Sequence, residues 1–375
     1  MASTGSSQQE PRLFHTLGKD VREVWEDVGR VGVRQTVRRS FSDLEEFYLT
    51  THRRDRLAGM GRVKRTLVLW AWLLKALFLK LTPARRLLLL LSFWLMVEGQ
   101  FQFSAGRTQV TVSFPFLGIA VLLLILMLEL RDKLLARNEL EAGRAVQLAL
   151  MPSHAPSLAG WDIWLFTRSA NDVGGDLVDY LPLDPSRLAV MLGDVAGKAL
   201  PAALLMAKLQ ATIRALATDC PTLDELGRRV NVILNRDGLP NRFATLVYLE
   251  LAPDSGAIRL VNAGHMPPLL LHPDRIEELP RGSIALGITP DADYTEQRAE
   301  VAPGEFLVVY SDGVTEAQNR AGDFFGDDRL RAALGGQATA TAEALGRAVL
   351  AAADTFTGDA PVFDDLSLVV LKRLA

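Results

Sequence analysis

Apolar residues follow two different patterns along the chain, and the pattern changes near residue 150. Before that point the apolar runs are long: residues 108–128 hold 21 positions without a charge, and residues 87–97 form a second uncharged run. After residue 160 the apolar runs are short and are separated by Gly, Pro, Asn and Asp, which is typical of strands joined by turns. The pattern predicts an α-helical first part and an α+β second part.

The long apolar runs predict a membrane region at residues 67–129. About 20 apolar residues cross the hydrocarbon core of a bilayer, so we expect transmembrane helices at about 87–105 and 109–129. Residues 67–81 are also apolar but carry Lys75 and Lys80. These lysines favour a helix that lies at the interface, where they can reach water; a further crossing at 67–81 is the alternative.

Basic residues predict the orientation of these helices. Thirteen Lys or Arg residues lie between positions 12 and 65, Arg85 and Arg86 precede the run at 87–97, and three follow the last apolar run within residues 131–137, whereas only Arg107 lies between the two runs. Basic residues gather on the cytoplasmic side of membrane proteins. We therefore expect a multi-pass protein of the cytoplasmic (inner) membrane, with a basic, partly helical N-terminal region 1–66 and everything after residue 131 in the cytoplasm.

Residues 130–152 predict a linker helix, because they are rich in Leu, Ala, Glu and Arg and Pro152 ends the pattern. Ala142, Val146 and Leu150 recur on one face of this helix. A plain connecting helix and a helix that forms a homodimer both fit the pattern. The domain after the linker would occupy residues 153–375.

Short apolar segments predict that this last domain has mainly antiparallel sheets, because its strands and helices are grouped rather than strictly alternating. The predicted strands are Asp162–Ser169, Leu188–Leu192, Ala244–Leu251, Ile258–Asn262, Pro268–Leu271, Glu305–Tyr310 and Leu366–Leu371. The predicted helices are Pro201–Ala217, Leu223–Leu234 and Thr341–Thr355.

Charge is divided unevenly between the two parts. Residues 1–150 hold 22 Lys and Arg against 14 Asp and Glu, a net charge of +8, and residues 151–375 hold 19 against 30, a net charge of −11. A basic first part suits an anionic membrane surface, and an acidic second part argues against nucleic acid as the partner. Cys220 is the only cysteine, which excludes an intrachain disulfide and a cysteine zinc site.

Aspartates recur at the ends of the predicted strands. They are Asp176 in a Gly-Gly-Asp sequence, Asp194 after residues 188–192, Asp312 after residues 305–310 and Asp364 before the last strand. Carboxylates suit hard ions such as Mg²⁺ or Mn²⁺, and two ions about 3.5–4 Å apart can activate a water and stabilise a phosphoryl group. An isolated Asp-Gly is most often only a turn, but four such acids around one set of strands indicate a metal centre.

Six motifs occur in order through this domain, and together they resemble the bacterial SpoIIE/RsbU branch of the PPM (PP2C-type) protein phosphatases. They are VGGDLVDY at 173–180, GDVAGK at 193–198 with PAALLM at 201–206, NAGH at 262–265, SDGVTE at 311–316, FFG at 324–326 and the Asp pair at 364–365. The resemblance covers residues 145–373 and leaves the membrane region unexplained.

The resemblance implies an αββα sandwich of two antiparallel sheets and a metal-dependent protein serine/threonine phosphatase. Asp176 and Asp194 would share two Mn²⁺ or Mg²⁺ ions, with the backbone carbonyl of Val195 as a further ligand. Asp312 and Asp364 would complete the centre, and the nucleophile would be metal-activated water rather than a side chain. The substrate would be a phosphorylated signalling protein, such as a STAS-domain anti-sigma-factor antagonist in a partner-switching pathway.

The sequence departs from this branch at three positions. Ala199 follows Lys198 where a glycine is usual, Leu177 replaces an aromatic residue, and Ser367 replaces a threonine but keeps the hydroxyl. None of these changes removes a ligand. His265 could touch the site or position the turn that it occupies, and Lys198 could bind phosphate or face solvent.

Other functions fit parts of the sequence. The Gly-Gly-Asp sequence resembles the signature of diguanylate cyclases, but Leu177 and Val178 replace the acid and the aromatic residue that the signature needs. A P-loop requires a hydroxyl after its lysine, and Ala199 follows Lys198. The remaining alternative is a membrane-anchored pseudophosphatase that binds a partner without turnover, and the four intact aspartates argue against it.

Overall fold

The computed structural model describes residues 61–98, 100–105, 108–152, 154–171, 173–197, 199–237, 242–253, 255–335 and 340–374. Contacts divide the chain into two compact units, Met1–Asp132 and Lys133–Ala375. The predicted N-terminal region 1–66 lies outside the described residues except for its last six positions. The partly helical structure of that basic region and its cytoplasmic location stay predictions.

The first unit contains three helices and one β-hairpin within its described residues. Helix α1 spans Arg62–Lys80, α2 spans Pro83–Glu98, strands β1 and β2 span Gln100–Ala105 and Thr108–Ser113, and α3 spans Pro115–Leu150. Helix α1 contains the predicted interfacial helix 67–81 to within one residue. Helix α3 is 36 residues long, so the predicted linker helix is its second half.

The two predicted transmembrane helices are wrong between residues 100 and 113, where the chain forms the β1–β2 hairpin. The sequence carries the reason: Phe101 and Phe103 alternate with polar residues, as do Val110 and Val112, and this period of two is that of a strand. Phe101 pairs with Val112 and Phe103 with Val110. Among the described residues, no helix is at once long enough and apolar enough to cross a membrane.

A close contact joins α2 to the first half of α3. The Ser92 hydroxyl donates to the Gly118 carbonyl at 2.7 Å, and the Arg85 guanidinium donates to Glu129 and Asp132 at 2.7 and 2.6 Å. Arg85 is one of the basic residues on which the predicted orientation depended. Because its charge is compensated by two carboxylates of the same unit, Arg85 is weak support for the predicted orientation in the membrane.

The second unit contains two five-stranded sheets whose described strand pairs are all antiparallel. The strands are β3 Trp161–Arg168, β4 Asp176–Asp184, β5 Arg187–Val195, β6 Ala244–Leu251, β7 Ala257–Ala263, β8 Leu269–Leu271, β9 Ile276–Glu278, β10 Glu296–Glu300, β11 Phe306–Tyr310 and β12 Leu366–Arg373. The first sheet has the order β10-β7-β6-β5-β4 and the second β3-β12-β11-β8-β9.

Helices cover the outer face of each sheet. The helices are α4 Ala199–Leu216, α5 Leu223–Asp237, α6 Asp312–Thr315, α7 Gly326–Leu334 and α8 Ala342–Thr357. Helices α4 and α5 share a buried apolar cluster with the first sheet, and α7 and α8 share one with the second. A third cluster fills the space between the sheets. The domain is therefore an αββα sandwich, as predicted.

Strand β11 shows how the sequence produces these layers. Phe306, Val308 and Tyr310 belong to the outer cluster with α7 and α8, whereas Leu307 and Val309 belong to the cluster between the sheets. Successive side chains of a strand point to opposite faces. A strand buried on both faces must therefore be apolar at every position, which explains the unbroken run in the sequence.

The sequence missed several elements of this domain, namely β4, β9, β10 and α7. Strand β4 is the instructive case, because Asp179 and Pro182 interrupt its apolar pattern. Asp179 is fully buried, and the Arg214 guanidinium donates to both of its carboxylate oxygens at 2.8 Å. A buried charge is tolerated when it is paired and hydrogen-bonded, and the partner lies 35 positions away in the sequence.

Candidate metal centre

The sheet topology brings the predicted ligands to one end of the sandwich. Strand β4 begins at Asp176, opposite Asp194 near the end of the antiparallel strand β5. In the other sheet, Asp312 follows the end of β11, and Asp364 precedes the start of its antiparallel neighbour β12. Because antiparallel neighbours begin and end at the same edge, each pair of aspartates lies at one edge of its sheet. Hydrogen bonds from Gly175 and Asp176 to Asp365 join the two edges, so that all four aspartates lie at one rim.

Two turns approach each other closely at this rim. A Cβ added to Gly175 would lie 3.1 Å from the carbonyl oxygen of Val195 and 3.4 Å from Oδ1 of Asp194. The predicted carbonyl ligand and one predicted carboxylate therefore both lie against the turn that carries Asp176. Asp176, Asp194 and the Val195 carbonyl therefore lie close together.

Electrostatic repulsion among the carboxylates is strong. Burial raises the pKa of Asp194 to about 7, and the charges of Asp312, Asp364 and Asp365 act in the same direction. Burial, then the charge of Asp194, raises the pKa of Asp176 well above its usual range. Burial, then the charge of Asp364, also raises the pKa of Asp312. The rim concentrates negative charge in a poorly solvated place, which favours binding of a cation.

The donor atoms fit a hard metal ion. Oδ2 of Asp176 is buried and has no hydrogen-bond partner, so a carboxylate oxygen remains available for an ion. Within the described residues, no three His, Cys, Asp or Glu side chains lie close enough together to hold an ion by themselves. Mg²⁺ is usually bound by one or two carboxylates and several waters. The metal role of Asp176, Asp194, Val195, Asp312 and Asp364 stays a prediction.

Asp365 organises the rim, a role that the sequence did not reveal. Its carboxylate accepts hydrogen bonds from the backbone N–H groups of Ala170, Gly175 and Asp176, at 2.7 Å for Ala170 and 3.3 Å for Asp176. Asp365 is 6% exposed. A buried carboxylate that accepts several backbone N–H bonds fixes those backbone groups in place. Asp365 therefore holds the turn on which Asp176 lies.

Gly174 allows this close approach. A Cβ at that position would lie 2.6 Å from Oδ2 of Asp365. The absence of a side chain at Gly174 thus lets the Asp365 carboxylate approach the backbone. Gln147 of α3 also binds Gly174 through two hydrogen bonds. Its amide nitrogen donates to the Gly174 carbonyl at 2.9 Å, and its side-chain oxygen accepts from the Gly174 N–H at 3.1 Å.

The remaining sequence candidates have separate outcomes. The hydroxyls of Ser367 and Ser311 counteract the rise in the pKa of Asp176, and the retained hydroxyl at position 367 donates to Oγ1 of Thr167 at 2.8 Å. Lys198 lies outside the described residues, and His265 is buried behind the rim.

Comparison with known proteins identifies the family of this sandwich. A model of the family described as Stage II sporulation protein E (SpoIIE) matches residues 184–374, just over half of the chain. The chain belongs to the SpoIIE family. The matched range includes Asp194, Asp312 and Asp364 and begins after Asp176.

Two relatives and one solved structure are each similar to somewhat less than two thirds of the chain. Protein IcfG of Synechocystis sp. is 29% identical over 265 residues, which cover 63% of this chain and 42% of IcfG. Phosphoserine phosphatase RsbU of Bacillus subtilis is 24% identical over 239 residues, which cover 63% of this chain and 70% of RsbU. The SiaA-PP2C domain of Pseudomonas aeruginosa superposes with a TM-score of 0.56 at 17% identity, covering 64% of this chain and 98% of that domain.

These comparisons confirm the predicted enzyme class, a PP2C-type protein serine/threonine phosphatase. The SiaA-PP2C structure supports the fold alone, because its sequence identity is low. The chain spans less than half of the length of IcfG. We therefore treat the activity, substrate and partners of the whole protein as proposals.

Asp194→Asn is expected to stabilise the metal-free protein at pH 8 and to stabilise it much less at pH 5. The folded protein keeps a proton on Asp194 up to about pH 7, whereas the unfolded chain releases it near the ordinary value of 3.8. The wild type therefore loses this stability as the pH rises from about 4 to 7, and asparagine, which resembles the neutral acid, does not.

Thermal melts in EDTA at both pH values measure this effect, with the exposed Asp219→Asn as the control. A domain of 150–250 residues shifts by roughly 2–4 °C per kcal/mol. Added Mn²⁺ should raise the midpoint of the wild type at pH 8 and not that of Asp194→Asn. Equal midpoints of the two metal-free proteins at pH 8 would contradict the prediction.

Asp365→Asn is expected to weaken Mn²⁺ binding by roughly 10–100-fold, the usual effect of losing a group that orients metal ligands. Asparagine has the size of aspartate but presents an amide nitrogen to backbone donors. Titration calorimetry with Mn²⁺ measures the change. The control is Asp359→Asn, whose aspartate is exposed and pairs with Arg320 at 3.0 Å. An unchanged dissociation constant for Asp365→Asn would show that the turn holds its shape without this carboxylate.

Proposed function

We propose that the protein is a metal-dependent protein phosphatase that hydrolyses phosphoserine or phosphothreonine on a signalling protein. One observation carries the proposal: the buried, mutually repelling carboxylates of Asp176, Asp194 and Asp312 lie at the rim of a SpoIIE-family sandwich, and Asp176 keeps an oxygen without a partner. An arrangement of this kind is unfavourable unless cations bind to it.

The residues of the rim have distinct roles in this proposal. Asp176, Asp194, Asp312, Asp364 and the Val195 carbonyl would hold two Mn²⁺ or Mg²⁺ ions. When bound, such ions supply an activated water and stabilise charge on the phosphoryl group. The chain itself contributes the positions of these ligands and the burial that strengthens their electrostatic effect.

A cysteine nucleophile is not available for this reaction. Cys220 is buried, and burial raises the pKa of its thiol. A thiol is nucleophilic as the thiolate, and the conditions around Cys220 disfavour that form. This argues against attack by a cysteine thiolate and is consistent with attack by water.

The substrate that we propose is a phosphorylated STAS-domain anti-sigma-factor antagonist in a partner-switching pathway. The motif resemblance and the relative named phosphoserine phosphatase RsbU support this choice. Exposed aromatic residues flank the rim: Phe243, whose carbonyl accepts from Ala196 N–H at 2.9 Å, and Phe363, next to Asp364. Exposed aromatic side chains beside a site are suited to contact with a protein partner.

The linker half of α3 supports the proposal of a homodimer. Val146 and Leu148 are 60% and 58% exposed, and Ala142 and Leu150 are also exposed. Gln147 lies on another face of this helix, where it is buried against Gly174. Ala142, Val146 and Leu150 recur at four-residue spacing and thus present an exposed apolar strip to a second copy, while Gln147 holds the turn before Asp176.

Activity of the full-length protein tests the proposed function directly. With Mn²⁺ it should hydrolyse p-nitrophenyl phosphate and a phosphoserine protein, and Asp312→Asn should lower kcat at least a hundredfold, about 2.7 kcal/mol in the barrier. The exposed Asp291→Asn is the control. If folded, Mn²⁺-loaded wild type turned over neither substrate, the protein would instead be a pseudophosphatase that acts by binding.

We also propose that the first unit attaches the protein to the cytoplasmic membrane. Its support is the exposed apolar surface of α2 and the first half of α3, where Leu87, Phe93, Phe116 and Met127 are 67–82% exposed. Contiguous exposed surfaces of large apolar side chains mark interaction sites. After cell fractionation and a high-salt wash, the protein should stay with the membranes. Its recovery in the soluble fraction would contradict this location.

A further inference from the structure

His265 occupies the turn after β7 and lies between the two sheets. Its ring is buried, and both nitrogens are engaged within the protein: Nδ1 lies 2.7 Å from the hydroxyl of Thr245, and Nε2 lies 3.1 Å from the carbonyl oxygen of Tyr310. Thr245 belongs to β6 in the first sheet, and Tyr310 ends β11 in the second. The ring therefore connects one sheet to the other.

The chemistry of the two partners fixes the form of the ring. A carbonyl oxygen can only accept, so Nε2 must carry a hydrogen and donate it to Tyr310. In the neutral ring Nδ1 is then the acceptor, and the Thr245 hydroxyl donates to it. Burial lowers the pKa of His265 to about 4, so the ring is neutral at physiological pH and has no nitrogen left for a substrate.

Both ends of this connection lie beside predicted ligands. Thr245 is the strand partner of Asp194, and its hydroxyl lies 3.4 Å from the carbonyl oxygen of Asp194. Tyr310 precedes Asp312 by two residues at the end of β11. The charges of Asp194 and Asp312 interact, although the two residues belong to different sheets. The ring thus connects the two backbone segments that lie beside these carboxylates.

The turn is built to hold the ring in place. The backbone N–H of His265 donates to the side chain of Asn262 at 2.8 Å, and the Asn262 amide donates back to the His265 carbonyl at 3.2 Å. Gly264 has φ +70°, and a Cβ there would lie 2.6 Å from the backbone nitrogen of Ala285. Glycine adopts this conformation without strain. The backbone on both sides of the ring is therefore fixed.

We propose that His265 is a positioning residue that sets the distance between Asp194 and Asp312, and so the affinity of the centre for its metal ions, by bridging Thr245 and Tyr310. The proposal rests on the proposed function, because it assigns both aspartates to a metal centre. It assigns no proton transfer to His265. Of the two roles that the sequence left open for this histidine, it selects the positioning one.

Separate variants remove each half of the bridge. Glutamine places an amide nitrogen near the position of Nε2, so His265→Gln keeps a donor for Tyr310 and loses the acceptor for Thr245. Asparagine places an oxygen near the position of Nδ1, so His265→Asn does the reverse. Thr245→Val removes the hydroxyl with little change of shape.

The measurement is Mn²⁺ binding to full-length protein, followed by electron paramagnetic resonance, together with kcat at saturating Mn²⁺. We expect His265→Gln and His265→Asn each to raise the Mn²⁺ dissociation constant by roughly 5–30-fold, within the range for groups that orient ligands. At saturating Mn²⁺, kcat should stay within threefold of the wild type. Thr245→Val should add less than twofold to the effect of His265→Gln, because that variant has already lost the bond to Thr245.

His272 provides the matched control, since both nitrogens of its ring also have hydrogen-bond partners. Its nitrogens lie 2.6 Å from Glu305 and 3.1 Å from Glu277, and Glu305 precedes the opposite end of β11 from Tyr310. His272→Gln should change the melting temperature without changing the Mn²⁺ dissociation constant.

The outcomes separate this inference from the proposed function. Unchanged Mn²⁺ affinity in both His265 variants would contradict the proposed bridge. A large loss of kcat at saturating Mn²⁺ with normal affinity would also contradict it and would point to proton transfer by His265. Because Mn²⁺ binding is observed without turnover, wild type that binds Mn²⁺ and hydrolyses nothing would reject only the phosphatase proposal.

Discussion

Repulsion between buried carboxylates at one end of the sandwich is the constraint on which the rest of this structure depends. Asp176, Asp194 and Asp312 each have a raised pKa because they are buried and face other negative charges. Without a cation, groups of this kind tend to move apart or to take up protons. Holding them together requires a rigid support, and the layers of apolar side chains on both faces of each sheet provide it.

The support closest to the carboxylates is made of hydrogen bonds to backbone groups. Asp365 gathers the N–H groups of the turn before β4, and Gln147 holds the same turn from the linker side of the chain. His265 connects the strand beside Asp194 to the strand before Asp312. None of these three side chains needs to touch a metal ion. Each fixes the backbone on which a ligand lies, which is how residues outside a metal's own shell tune its affinity.

The two units of the chain differ in how much the family explains. The family match lies within the second unit, whose fold and enzyme class the family and the relatives support. The first unit contains the hairpin, the Arg85 contacts and the exposed apolar faces of α2 and α3. Helix α3 belongs to both units, and its buried Gln147 is a direct contact with the proposed catalytic rim.

The sequence by itself determined an α+β domain of mainly antiparallel sheets with aspartates at its strand ends, because these depend on local signals. Apolar segments of strand length and glycine beside an acid can be read from neighbouring residues, and the order of the motifs implied the sandwich through the family resemblance. The hairpin at residues 100–113 is also encoded locally, in the alternation of apolar and polar residues. Only the tertiary structure assigned Asp365 and His265. Asp365 binds Gly175 across 190 positions, and His265 binds Tyr310 across 45, and no local pattern specifies a contact between residues that folding alone brings together.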